Sequence, residues 1–402
     1  VTDASAVQEL TGNIEAQDKT YAIAVPPTAN GERILLAVTE EQLPSVATLS
    51  ANRITNWKEA TGADFVMITD SKFATAIAPL REQRQREGYR VGVVAVDDIY
   101  DEFNFGNKSP QAIKDFLSFA AKNWKIAPRF VLFVGDASYD GRNYLGAGDF
   151  DFVPTKLLDS EYLETASDDW FADFDNDGLA EISVRRLPVR TVAETTNLVT
   201  KLLHYEQTKT PTSALLVADA NDGFNFEQAS SALRNLLPAD GRIEELRRGQ
   251  LDAAQAKAQL LAALARGQRF INYLGHGSIN LWRGNLLTAN EAAMLTNEVL
   301  PVFVMMNCLN GYFHDPTIES LSKALVKAES GGAIAVWASS GLTLPQDQQA
   351  MNREFYRQLL NKDSRGAKVT LGEAVRRAKA VSPQSDIRRT WILLGDPTLR
   401  LP

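Results

Sequence analysis

Short continuous apolar runs alternate with amphipathic stretches along most of the chain. "ADFVMIT", residues 63–69, is the first such run. After it Phe73, Ile77 and Leu80 recur at helical spacing, and Gly88 marks the end of that predicted helix. "YRVGVVAV", residues 89–96, reads as the next strand. Ser109 then stands as an N-cap with Pro110 at the first helical position, opening a helix with Ile113, Phe116 and Leu117 on one face. "FVLFVGD" (130–136) reads as a third strand. The second half repeats the scheme. "ALLVAD" (214–219), "RFINYL" (269–274), "LPVFVMMN" (300–307), "GGAIAVWAS" (331–339) and "TWILLGD" (390–396) read as strands. "EQASSALRNLL" (227–237) and "LDAAQAKAQLLAALARG" (251–267) read as helices. Apolar strands alternating with helices predict a parallel α/β fold covered on both faces. Upstream, "YAIAV" and "RILLAVT" surround Pro-Pro and Asn-Gly turn signals, which predicts a short N-terminal β segment. The expected organisation is residues 1–57 as that segment, 58–189 as a first α/β subdomain and 190–402 as a second.

Composition changes this picture little. The 402 residues carry a net charge of −8 with no long basic run, which argues against nucleic acid as a partner. No apolar run reaches the roughly 18–20 residues of a membrane span. The chain opens at Val1 with no leader pattern, and a processed form or an excised piece is expected. With one cysteine, Cys308, an intramolecular disulfide and a Cys-rich zinc site are both excluded.

That cysteine and one of the three histidines fall at similar places. His276 lies in "YLGHGS", just past one predicted strand. Cys308 lies in "MMNCLNG", just past the next. In open parallel sheets, ligands and reacting groups gather beyond the carboxyl ends of the strands. One strand–helix–strand step with a right-handed crossover would bring both side chains to one rim. A thiol beside an imidazole is a nucleophile with its base. Gly275 and Gly277 would let the backbone turn sharply, so the N–H groups of Gly277 and Cys308 could form an oxyanion hole. Other readings fit the same residues. His276 could be a hydrogen-bonded core histidine and Cys308 inert packing. A metal could sit on His276, Cys308 and His314 beside Asp315, and His314 also competes as the base. His204, in the amphipathic run "NLVTKLLHYE", reads as a helix-surface residue.

"DFDNDGLAEI", residues 173–182, reads as a cation loop. Asp173, Asp175 and Asp177 alternate, Gly178 follows for the turn, the Leu179 carbonyl comes next, and Glu181 follows at the ninth position. The twelfth position is Val184, so the bidentate glutamate of an EF-hand is missing. A single structural ion is expected, helped by Asp168 or Asp169. The alternative is a solvated acidic turn.

In order along the chain, "VDDIYDEFNFG", "FVLFVGDASYDG", "SDDWFADFDNDG", "EISVRRLPVRT", "NYLGHGS", "VMMNCLNGYF", "GGAIAVWASS" and "WILLGDPTLRL" resemble the gingipain-like bacterial cysteine peptidases, which are related to caspases. The resemblance covers roughly residues 58–402. It implies a caspase/gingipain-like α/β fold of two subdomains, each with a mostly parallel sheet flanked by helices. It implies a cysteine endopeptidase acting on polypeptides, with Cys308 forming the acyl-enzyme and His276 handling protons. It also implies an acid that orients the histidine, at Asp222 or, as runner-up, Asp219. Calcium as a structural ion is implied, and no organic cofactor. A secreted or cell-surface bacterial location follows from the same resemblance. A substrate pocket is implied at Trp337, Ser339 and Ser340. The aspartate of arginine-specific members falls near Phe226, with Glu227 adjacent, so arginine specificity is not expected here. Two alternatives share the fold: a transpeptidase that trims a C-terminal signal and joins the new end to an anchor, and a non-catalytic binding module.

Overall fold

The computed structural model describes residues 13–18, 20–25, 41, 54–208, 211–362 and 366–401. The chain divides into two compact units, Val1–Arg53 and Ile54–Pro402. In the first, Ile14–Gln17 pairs antiparallel with Thr20–Ile23. The "RILLAVT" run lies outside the described residues.

The second unit is built on one ten-stranded sheet. From edge to edge run Arg242–Arg247, Ser213–Ala218, Phe270–Leu274, Val302–Met306, Ala335–Ser339, Trp391–Leu394, Ser183–Leu187, Phe130–Val134, Phe65–Thr69 and Val91–Ala95. Every neighbouring pair is parallel except one: Trp391–Leu394 runs antiparallel to Ala335–Ser339. That last strand also joins the two halves, pairing in parallel with Ser183–Leu187 through Leu394 and Arg186. The strands from 58–189 and those from 190–402 therefore lie side by side in one sheet.

Alternation decides which face each strand residue covers. Phe65, Met67, Phe130 and Leu132 join one apolar cluster, whereas Val66, Ile68, Val131 and Phe133 join the other. Both faces are dry, which is why these strands read as continuous apolar runs. Helices supply the covers. Ser109 caps Pro110–Asn123 by accepting from the Gln111 N–H at 3.1 Å, with Pro110 at its first position. The expected helix from Phe73 is shorter than its apolar spacing implied. A 3-10 turn covers Ser71–Phe73, and the α-helix spans only Ala78–Arg86, with Pro79 in its first turn. Proline is tolerated at a helix start and not inside one. The strand expected through Val96 ends at Ala95, and a helix, Val96–Asn104, begins there.

Charged side chains are buried where the halves meet. Arg186 is fully buried and meets Asp168 at 2.8 Å, while donating to the carbonyls of Gly135 and Val153. Asp169 accepts from Arg185 at 3.0 Å and from Lys379 at 2.6 Å. Asp396, just past the last strand, holds Arg84 at 2.9 Å. A buried charge is tolerated when it is paired and its remaining hydrogen bonds are made.

Candidate active site

The strands Phe270–Leu274 and Val302–Met306 are parallel neighbours, with Leu274 level with Met306. His276 and Cys308 each stand two residues beyond those paired ends, so they share one rim of the sheet. The glycines flanking His276 serve close approach rather than unusual torsions; neither has a positive φ. A Cβ at Gly275 would lie 2.5 Å from Asp219 Cβ, and one at Gly277 would lie 2.2 Å from Asn307 Nδ2 and 3.2 Å from the Cys308 carbonyl oxygen. The histidine loop thus presses directly on the cysteine loop.

His276 is held at three points. Its backbone N–H donates to Asp219 Oδ2 at 3.2 Å. Its carbonyl accepts from the Tyr273 hydroxyl at 2.8 Å and from the Arg283 N–H at 2.9 Å. Its ring Nε2 meets Asp222 Oδ2 at 2.9 Å, while the side chain stays 45% exposed. The two candidate acids are thereby separated. Asp219 is fully buried and orders the backbone, whereas Asp222 reaches the imidazole. Against the raising effect of burial, hydrogen bonds from Arg283 and His276 hold the Asp222 carboxyl below its usual range.

Past the histidine, Gly277–Ser278 pairs antiparallel with Leu281–Trp282. Arg283 N bonds the His276 carbonyl, so Gly277 and Trp282 form a non-hydrogen-bonded pair. The Gly277 N–H is directed away from the hairpin partner. Cys308 is half-buried, with Sγ 3.5 Å from the Thr343 carbonyl. The next residue, Leu309, takes a left-handed φ of 64°, a strained conformation for a branched side chain. Fully buried Asn310 donates from Nδ2 to the Leu281 carbonyl at 3.3 Å and to that of Ser278, while Asn307 Nδ2 donates to Asn310 Oδ1. These asparagines clamp the two loops together. Neither this clamp nor the contacts of Arg283 and Arg248 are legible in the sequence. The only signal was two asparagines flanking Cys308 in "NCLN".

Several expected residues lie elsewhere. His314 is fully buried, and neither ring nitrogen finds a hydrogen-bond partner. It packs on Tyr312, with ring centroids 4.0 Å apart, and burial pushes its pKa down to about 3. It is neither the exposed base nor a ligand. Asp315 instead accepts from the N–H groups of Thr317 and Ile318, and no metal-competent cluster among the described residues includes His276, Cys308, His314 or Asp315. Trp337, Ser339 and Ser340, expected to wall a pocket, are all fully buried. Trp337 packs on Phe355, and Ser340 donates to the Ala166 carbonyl. Phe355 of the helix Pro345–Leu360 covers Trp337, and Thr390 bonds Ser339 and Ser340. Phe226 is buried edge-on against the His276 ring at 5.2 Å, and Glu227 accepts from Gln250. His204 is exposed on the helix Val192–Gln207, as expected.

The acidic loop is gathered. Asp173, Asp175, Asp177 and Glu181 bring one oxygen each within 4.8 Å of one another, a set that could hold a metal. Asp173 is buried, and its Oδ1 has no hydrogen-bond partner, whereas Oδ2 accepts from the Gly178 N–H at 3.1 Å. Gly178 takes a φ of 87°, open to glycine at no steric cost. Leu179 donates its N–H to Asp177 at 2.7 Å. Asp168 and Asp169 are not part of the set, because the buried arginines and Lys379 already occupy them.

A large, mostly parallel α/β sheet flanked by helices, with a cysteine and a histidine on adjacent strand ends, is a gingipain-like architecture. It matches the crystal structure of the Arg-specific cysteine proteinase gingipain R with a TM-score of 0.71 at 21% identity, over 87% of this chain and 80% of that one. The chain belongs to peptidase family C25, whose profile matches residues 58–402. Among curated proteins, Gingipain R2 of Porphyromonas gingivalis is 23% identical over 374 residues, 87% of this chain and 47% of the relative. Lys-gingipain W83 of Porphyromonas gingivalis is 23% identical over 292 residues, 68% of this chain and 15% of the relative. The chain spans about half the length, or less, of the curated relatives it matches. Among the described residues no helix is long and apolar enough to cross a membrane.

Proposed function

We propose that this chain is a cysteine endopeptidase in which Cys308 is the nucleophile, His276 the general base and acid, and Asp222 the acid that orients the histidine. The observation that carries the reading is the Asp222–His276 bond of 2.9 Å on the strand end next to Cys308. With Nε2 engaged by Asp222, Nδ1 remains to exchange a proton with the thiol. The thiolate attacks the scissile carbonyl, and the Gly277 and Cys308 N–H groups receive the oxyanion. The imidazolium gives its proton to the leaving amine as the C–N bond breaks, leaving a thioester on Cys308. Water, deprotonated by His276, then attacks the thioester and releases the acid and the thiol.

Arginine preference is not part of the proposal. An arginine side chain in an apolar pocket needs a carboxylate partner. Phe226, the position at which the resemblance places one, is packed behind the His276 ring. Calcium is proposed at Asp173, Asp175, Asp177 and Glu181 as a structural ion, supported by the buried, partnerless Asp173 Oδ1. A secreted or cell-surface location is proposed from the family resemblance.

The test is cleavage of a denatured proteome, with new N-termini mapped by mass spectrometry, by the parent and by Cys308→Ala. Cleavage by the parent alone supports the reading, and equal cleavage by both defeats it. Strong selectivity for arginine over apolar residues would place a carboxylate in the pocket after all. An added amine acceptor separates hydrolysis from transfer, since both pass through the same thioester.

A further inference from the structure

Asp222 Oδ2 accepts two hydrogen bonds, one from His276 Nε2 at 2.9 Å and one from Arg283 Nη1 at 2.8 Å. The guanidinium also lies 3.7 Å from Asp219 Oδ2, the oxygen that accepts the His276 backbone N–H. Arg283 thus spans the two carboxylates that hold the ring and the backbone of His276. Its own backbone N–H closes on the His276 carbonyl. The neighbouring Gly284 has a positive φ of 68°, and a Cβ there would lie 2.0 Å from Arg248 Nη2. Arg248 in turn donates to Asp219 Oδ1 at 2.7 Å. The turn that carries Arg283 is therefore fixed against a second arginine, and Arg283 is not a loose surface side chain, although it is 44% exposed.

We infer that Arg283 is a positioning residue that locks Asp222 onto His276 and lowers the proton affinity of the imidazole. The inference rests on the reading of His276 as the proton-handling group. A lone carboxylate bonded to an imidazole favours the imidazolium and raises its pKa. A guanidinium on the same oxygen opposes this twice: it draws on that carboxylate's charge, and it places a positive charge beside the imidazolium. The charged groups facing His276 are few. Asp219 comes from the end of Ser213–Ala218, Asp222 from the loop after it, Arg248 from the turn after Arg242–Arg247, and Arg283 from the hairpin. Cys308 comes from the adjacent strand end. The helix Phe226–Ser231 presents only Phe226, because Glu227 is turned to Gln250. Asp219 is already paired with Arg248, so Arg283 is the group that offsets Asp222.

The experiment reads the imidazole directly. The chain has three histidines. Their ring C–H resonances are titrated by NMR in the Cys308→Ala protein, with and without Arg283→Met and Arg283→Lys. Exposed His204 serves as an internal reference, and a His276→Gln sample assigns the His276 signal. Arg283→Met shifts the His276 titration to higher pH, and Arg283→Lys returns it towards the parent value. In the enzyme with Cys308 intact, the limb of the pH–kcat/KM profile governed by His276 moves the same way. A His276 pKa that is unchanged or lower in Arg283→Met overturns the inference. Arg283→Gln gives a second neutral replacement should the methionine variant fail to fold. The outcomes separate from those of the peptidase reading. A shift in pKa with no turnover in the parent would sink that reading alone, and turnover with an unmoved pKa would sink this one alone.

Discussion

Gly277 stands so close to the cysteine loop that any side chain must displace it. In Gly277→Ala the new Cβ meets Asn307 Nδ2 at 2.2 Å, so the histidine and cysteine loops are forced apart. Small misplacements of reacting groups are costly, and turnover is expected to fall at least roughly tenfold with a modest loss of melting temperature. Steady-state kinetics on a folded sample decides it, and parent-like turnover would show that loop spacing does not matter. Asn310→Asp keeps the shape but loses both donated bonds to Ser278 and Leu281 and buries a charge. A loss of about 2–4 kcal/mol in urea unfolding is expected. His314 makes a third case. The folded chain keeps it unprotonated down to about pH 3, while the unfolded chain takes up that proton near pH 6.5. Its contribution to stability is whole above the unfolded value and is lost as pH falls from there towards the folded one. His314→Phe is expected to flatten part of that acid limb, read as the difference in urea midpoint between variant and parent across this range. A variant whose acid limb matches the parent's would mean that His314 is solvated or partnered in the folded chain.

At the scale of elements, the strand-end loops were the most legible feature. "YLGHGS" and "MMNCLNG" each hold a strand end and a candidate residue within a few positions, so local pattern and the switch from apolar to glycine were enough to place His276 and Cys308 at strand ends. The choice between Asp222 and Asp219 was not legible, because it depends on whether a loop turns its side chain towards the ring or its backbone. The missed clamp has the same cause: Asn310 bonds carbonyls about thirty positions upstream, and no local spacing reveals that. The burial of Trp337, Ser339 and Ser340 was not legible for a related reason. Phe355 and Thr390, which cover them, come from later helices, and which helix lies over a strand is set by topology. The acidic loop, by contrast, was readable from its alternation. It touches the segment before the last strand through Arg388, which donates to the Asp177 carbonyl at 2.7 Å. An ion there would relieve repulsion among four carboxylates and brace that segment. A chelator is expected to lower the melting temperature and added calcium to restore it, with magnesium a poor substitute because it dehydrates reluctantly. An unchanged melting temperature in chelator would remove the ion from the account.

At the scale of the whole molecule, the alternation of apolar strands and helices was enough to predict an α/β fold and its mostly parallel pairing. It could not predict that Trp391–Leu394 would enter between the two halves, antiparallel to one neighbour and parallel to the other. A single short apolar run carries no record of which strands will flank it. That insertion joins the strands of the two halves in one ten-stranded sheet, and the buried pairs Arg186–Asp168 and Arg84–Asp396 lie along the join. Asp168→Asn would leave Arg186 buried and short of its charge partner, at an expected cost of about 3–5 kcal/mol in chemical unfolding. The sheet also sets the rim on which the proposed chemistry depends, since Leu274 and Met306 are level and the two loops leave side by side. The most direct measurement of that chemistry is the intact mass of the protein after brief exposure to a peptidyl acyloxymethyl ketone, followed by peptide mapping. The account predicts one adduct, on Cys308, formed rapidly in the parent, slowly in His276→Ala and not at all in Cys308→Ala. No labelling of Cys308 in the folded parent by a panel of such probes, or equal labelling rates with and without His276, would contradict it.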